Sequence, residues 1–152
     1  MKQNCQIYAS LLLAFLLTVL LTGCAGKNVS GSPADYPMAA LDGMPAEVQA
    51  APQVVREAYQ FASANPNILT NLPCYCGCGE MGHTSNYSCY VKEAAGQGEI
   101  SYDTHALGCS ICVDITRDAM RMLKEGKELS EIRLFVDETY SQYGPSNLPD
   151  AQ

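Results

Sequence analysis

Residues 109–126 read CSICVDITRDAMRMLKEG, and this stretch decides the fold class. Ile111, Cys112, Ile115, Ala119, Met122 and Leu123 recur at three- and four-residue spacing, the stripe of an amphipathic helix over 109–125. Gly126 stands where a helix end favours glycine. Beyond it, Ser130 can cap a second helix whose face is Ile132, Phe135, Val136, Thr139 and Tyr140, closed by Gly144-Pro145. Upstream, Val54, Ala58, Phe61 and Ala62 share one face of a third helix, begun near Pro52 and stopped at Asn65-Pro66. The intervening 68–108 are dense in Gly, Asn, Ser and Tyr and read as loops, with no convincing alternating strand and no internal repeat. The expectation is a mostly α chain: a small helical domain with a long, ordered, Cys-rich loop.

The whole chain has 152 residues, 9 Lys and Arg against 16 Asp and Glu, and 8 Cys. One domain is the expectation at this length. A pI of about 4.6 argues against a nucleic-acid partner, which requires a cationic face. Eight thiols in so short a chain call for a disulfide framework, a metal site or both.

The amino terminus accounts for two of them. An apolar run from Leu11 to Leu21 follows a single lysine. It has the length of a signal-peptide core and falls short of the roughly 20 residues of a transmembrane helix. It ends in Leu21-Thr22-Gly23-Cys24, which resembles a bacterial lipobox. That resemblance implies a lipoprotein signal peptide over 1–23, removed with Cys5, and lipidation of Cys24 as the new first residue. The anchor places the protein at the cell membrane, on the extracytoplasmic side. Residues 24–53, rich in Gly, Ser, Ala and Pro, read as a flexible tether, 54–149 as the folded domain and 150–152 as a tail. Cleavage would remove only Lys2 among the charged residues, leaving 8 basic against 16 acidic, a net charge of −8.

Six thiols remain for the domain. Cys74, Cys76 and Cys78 lie in Pro73-Cys-Tyr-Cys-Gly-Cys-Gly79, Cys89 follows, and Cys109 and Cys112 form Cys-Ser-Ile-Cys. Both histidines of the chain, His83 and His105, fall in the same region. Alternate residues of an extended segment point to one side, so the triplet can converge while Gly77 and Gly79 let the backbone bend round an ion. Cys109 and Cys112 stand one turn apart at a helix start, where the helix dipole favours thiolates. Asp103 is placed to orient His105 from behind as a hydrogen-bond acceptor. Six sulfurs and two imidazoles suffice for two tetrahedral sites or one polynuclear cluster. Tyr75, Tyr87, Tyr90 and Tyr102 are expected to pack round the site. Met81 reads as a loop or core methionine ahead of a thioether donor.

Such a donor set suits copper(I) first, zinc next and an iron–sulfur cluster third. The competing reading pairs the six cysteines into three disulfides, since bridges persist outside the cytoplasm. Neighbours in Cys-x-Cys do not comfortably bond to each other, so Cys74, Cys76 and Cys78 would need Cys89, Cys109 and Cys112 as partners. One bridge plus one metal site is a third arrangement.

Pro73-Cys-Tyr-Cys-Gly-Cys78, with Met81-Gly-His83, Ser88-Cys89-Tyr-Val, Asp103-x-His105 and Cys109-x-x-Cys112, resembles the bacterial PCYCGC-motif lipoproteins. The resemblance runs from about Pro66 to Pro149, and the lipobox agrees with that family's architecture. The family is described by its motif and implies no activity. Taken together, the residues point to a membrane-anchored, non-enzymatic metal-binding protein for buffering, sequestration or delivery, with a metal transporter or metalloenzyme as partner. A [2Fe–2S] electron carrier and a thiol–disulfide oxidoreductase acting through Cys109 and Cys112 are the alternatives. The latter lacks a strand–helix–strand pattern before its Cys-x-x-Cys.

Overall fold

A computed structural model describes residues 36–92 and 100–148. The expected signal peptide, Cys24, the first part of the tether and the tail 150–152 lie outside them. The described chain is mostly helical: α1 (Ala46–Ala50), α2 (Gln53–Ala64), α3 (Pro66–Leu69), α4 (His105–Gly108), α5 (Ser110–Lys124) and α6 (Leu129–Tyr140). Single 3-10 turns cover Cys78–Met81, Tyr87–Cys89 and Ser141–Tyr143. Among the described residues the only strand-like pairing is one antiparallel bridge, Val91 to Tyr102.

α5 is the central element, packed against α2 on one side and α6 on the other. Its buried face is Cys112, Val113, Ile115, Thr116, Ala119 and Met122. Its end is set by Gly126, at φ 76°, a conformation costly for other residues. The Gly126 amide donates to Leu123 O at 2.9 Å and the Lys127 amide to Met122 O at 3.0 Å. This paired closure satisfies two of the last carbonyls of α5 and turns the chain directly into α6. The cap of α6 falls at Glu128, whose amide donates to Glu131 Oε2 at 3.0 Å. Ser130 therefore sits inside the first turn rather than capping it.

The tether expected over 24–53 is corrected for residues 36–53, which belong to the folded body. Met44 and Val48 are buried in the same core as Phe61 and Ile115. Ala39 and Gln60 are doubly hydrogen-bonded, with Ala39 N donating to Gln60 O at 3.0 Å and the Gln60 side-chain Nε2 donating to Ala39 O at 2.8 Å. Asn65, itself buried, donates through Nδ2 to Pro37 O and Phe61 O, both at 2.8 Å. The polar side chains of α2 thus hold this segment against the domain. The core face of α2 is Ala58, Tyr59, Phe61 and Ala62, whereas Val54 is turned outward. Pro66 stops α2 and at once opens α3, because its fixed φ suits a first helical position.

Candidate metal centre

The described part of the segment between α3 and α4 packs against the first turn of α5, and three devices help fix its course. The Asn86 amide donates to Leu72 O at 2.8 Å. A buried network then ties the segment to α5. Tyr90 donates its hydroxyl proton to Cys112 O at 2.8 Å, Asn86 Nδ2 donates to the same carbonyl at 3.3 Å, and the Thr116 hydroxyl donates to Asn86 Oδ1 at 2.8 Å. Finally the carboxy-terminal segment straps the Cys triplet from outside. Asn147 Oδ1 accepts from Cys74 N at 2.6 Å, and its Nδ2 donates to Ser85 O at 3.1 Å and to Cys78 Sγ at 3.4 Å.

These devices bring all six cysteines and both histidines into one cluster. Four sets of donors have ligand atoms within 4.8 Å of one another: Cys76, His105, Cys109 and Cys112; Cys78, His83, Cys89 and His105; Cys74, Cys76 and Cys78; and Cys74, Cys89 and Cys112. The sulfur separations are 3.3 Å for Cys74–Cys112, 3.4 Å for Cys74–Cys76, 3.7 Å for Cys76–Cys112 and 3.8 Å for Cys78–Cys89. His105 Nε2 lies 3.4 Å from Cys76 Sγ. Thiolates at about 2.3 Å from a tetrahedral ion stand about 3.8 Å apart, so the longer pairs match the edges of such a site. All are far outside the roughly 2.05 Å of a disulfide, and all six cysteines are free thiols in this structure.

The backbone delivers the triplet in two steps. Cys74 and Cys76 bring their sulfurs to 3.4 Å, and Cys78 follows a sharp turn at Gly77, whose φ is 81°. The second bend expected at Gly79 falls instead at Gly82, φ 87°, on the far side of the Cys78–Met81 turn. Met81 is 59% exposed, a loop methionine rather than a core one. Tyr90 packs deep beside the site, edge-on to Tyr59 with ring centroids 5.0 Å apart.

Asp103 acts differently from the expectation. Its Oδ1 accepts the main-chain N–H of His105 at 2.7 Å, which seats the imidazole through the backbone rather than through its ring. Its Oδ2 faces Nε2 of the other histidine, His83, at 3.7 Å. His83 Nδ1 is buried with no hydrogen-bond partner. A carboxylate behind one ring nitrogen leaves the lone pair of the other for a metal. The two rings meet edge to face, with centroids 5.1 Å apart.

Cys74, Cys78, Cys89 and Cys112 are buried, while Cys76, Cys109 and both histidines are half-buried. The thiols share protons unevenly. The Cys89 thiol and, secondarily, His105 hold Cys76 down at about 5, against the upward push of burial. Contact with Cys112 lowers Cys74 to about 7 and draws Cys78 down as well. Cys89 is pushed up chiefly by Cys112, and Cys112 chiefly by Cys74, the roles of thiols that donate to neighbouring thiolates. Burial raises Cys109. The lowered thiols are those of the triplet loop, and the raised ones are Cys89, Cys109 and Cys112. Among the described residues no Lys or Arg hydrogen-bonds any of the six sulfurs. Several buried thiolates without a nearby cation are a costly arrangement, and a bound transition-metal ion would supply the missing positive charge. The donor set thus fits a transition metal.

Asn147 is the functional residue that the sequence reading missed. An asparagine near the carboxy terminus carries no local signal that it reaches a sulfur 69 positions away.

The profile of a protein family described as "Protein of unknown function with PCYCGC motif" matches residues 13–150, a span holding all eight donors. No curated protein and no solved structure matches the chain.

Proposed function

The chain belongs to the family of proteins of unknown function that carry the PCYCGC motif, and from its own geometry we propose that it binds copper(I) in preference to zinc at the extracytoplasmic face of a membrane. The observation that supports this most is the convergence of six free thiols and two imidazoles, with no Lys or Arg among the described residues hydrogen-bonded to a sulfur. Sulfur-rich sites select soft ions, and six sulfurs to two nitrogens favours copper(I) over zinc, which the Cys76, His105, Cys109 and Cys112 set would also accommodate. Half-buried donors, such as Cys76, His105 and Cys109, suit an ion that is taken up and handed on, so the role is buffering, sequestration or delivery to a metal transporter or metalloenzyme. The lipobox-like Leu21-Thr22-Gly23-Cys24 supports a lipid anchor on Cys24, holding an acidic domain at a surface that its charge alone would not approach.

The test is metal analysis of the full chain, purified in detergent and reconstituted under anaerobic, reducing conditions with copper(I) or zinc. Stoichiometric copper that withstands competition by zinc is the expected result. Substoichiometric uptake of both metals would sink the proposal, and preferential retention of zinc would reverse the order of the two ions.

A further inference from the structure

We infer that the centre holds two metal ions in unlike positions, one outer and one inner, an inference that rests on the metal-binding reading above. Eight donors exceed what one tetrahedral ion takes. The two four-donor sets, Cys76, His105, Cys109, Cys112 and Cys78, His83, Cys89, His105, have only His105 in common. The 3.4 Å contact of His105 Nε2 with Cys76 Sγ assigns this ring to the first set. That set is complete and forms the outer position, with Cys76, His105 and Cys109 all half-buried.

The second set then retains Cys78, Cys89 and His83 and needs a fourth donor. His83 is already prepared: Asp103 stands behind Nε2, and the buried Nδ1 has no other partner. Cys74 supplies the remaining donor. It falls in one set with Cys76 and Cys78 and in another with Cys89 and Cys112, so it reaches two sulfurs of each position. As the fourth inner donor it lies against the outer position, with its sulfur 3.3 Å from Cys112 Sγ and 3.4 Å from Cys76 Sγ. The inner position is the more enclosed, since Cys74 and Cys89 are 0% and Cys78 1% exposed. Each of the eight donors is thereby used once, four to each ion. The outer ion exchanges with solvent chelators before the inner one.

Cadmium(II) is the probe, because it favours the same ligands and is read directly by cadmium NMR. The full chain in detergent under reducing conditions is expected to bind two equivalents and give two resonances, and added EDTA to remove one before the other. Cys109→Ser should remove the outer resonance and keep the inner. His83→Gln should do the opposite. Saturation at one equivalent, or loss of the same resonance in both variants, overturns the two-position assignment while leaving metal binding intact. No bound cadmium at all would overturn metal binding itself. Should a variant fail to fold by circular dichroism, the native stoichiometry and the EDTA sequence decide the matter.

Discussion

Replacing Asn147 by alanine isolates the strap that holds the Cys triplet. The variant keeps the main-chain bond from Asn147 N to Cys74 O at 3.1 Å and deletes only the side-chain amide. Two protein groups then lose partners: the N–H of fully buried Cys74, which donates to Oδ1 at 2.6 Å, and the carbonyl of buried Ser85. An unpaired buried donor costs about 1–3 kcal/mol and a carbonyl at the lower end of that range, so the metal-free protein should lose about 2–4 kcal/mol. Cys78 Sγ also loses the N–H that it accepts at 3.4 Å. Removing a hydrogen bond behind a ligand typically weakens metal affinity about 10–100-fold, equivalent to about 1.4–2.7 kcal/mol. Urea denaturation of the metal-free chain reads the first quantity, and chelator competition the second. Asn147→Asp separates the two, because it keeps an acceptor for Cys74 N–H yet places a negative charge beside the Cys78 sulfur. Stability should largely return in this variant. Metal loss should move to higher pH, since a neighbouring carboxylate favours the protonated thiol. If Asn147→Ala leaves both the urea midpoint and the affinity within about 0.5 kcal/mol of the native chain, the strap does not position the triplet and the reasoning fails.

Four further outcomes follow from the same geometry. Gly144→Ala places a Cβ 2.8 Å from Tyr75 O, a main-chain atom that cannot swing aside, and should cost about 1–3 kcal/mol in urea denaturation. Val48→Ala, at a position of 0% exposure, should cost about 1–3 kcal/mol; a neutral result would return this segment to the tether. In the metal-free chain Cys74 and Cys76 should stay ionised until the pH falls through about 7 and about 5. Because both folded values lie below the ordinary thiol range, their stabilising contribution is full above that range and lost on acidification. A thiolate absorbance midpoint near the free-cysteine value of about 8.5 would contradict it. Cys24→Ser should abolish incorporation of labelled fatty acid, whereas incorporation at the native level would remove Cys24 as the lipidation site.

The three long helices were legible because burial on one face forces a 3.6-residue period, and α5 shows it over fifteen residues. The α1 segment was not, since AEVQA contributes one buried residue, Val48, and a single residue has no period. Its Gly-, Ala- and Pro-rich surroundings imitate a linker, and what fixes them is polar chemistry on another helix, at Gln60 and Asn65. The donors were legible as a set because cysteine and histidine are scarce and clustered. Their grouping was not, because spacing says nothing of how a loop closes. Asp103 illustrates this: two residues before His105, it reads as that ring's acceptor, yet the chain turns it toward the His105 amide and the His83 ring.

The position of the sulfurs has a consequence for folding. Cys74, Cys78, Cys89 and Cys112 are not appended to the hydrophobic core but belong to it, packed with Tyr59, Leu72 and Tyr90. The described residues 70–92 and 100–104 have little regular structure of their own, and a long loop is costly to order in a small domain. Asn86, Asn147, the Tyr90–Thr116–Cys112 network and bonds from Tyr59 to Asp103 O and from Tyr75 to Asp137 restrain this loop, and the clustered sulfurs offer a further closure. In the metal-free chain those sulfurs must share protons, since ionising all of them together leaves buried charge uncompensated. Metal ions would replace the shared protons with bonds that join the triplet, Cys89 and the first turn of α5. Their binding free energy would then serve as folding free energy for the loop. The loop and the centre would then form one cooperative unit, in which the order of the loop depends on what the sulfurs hold.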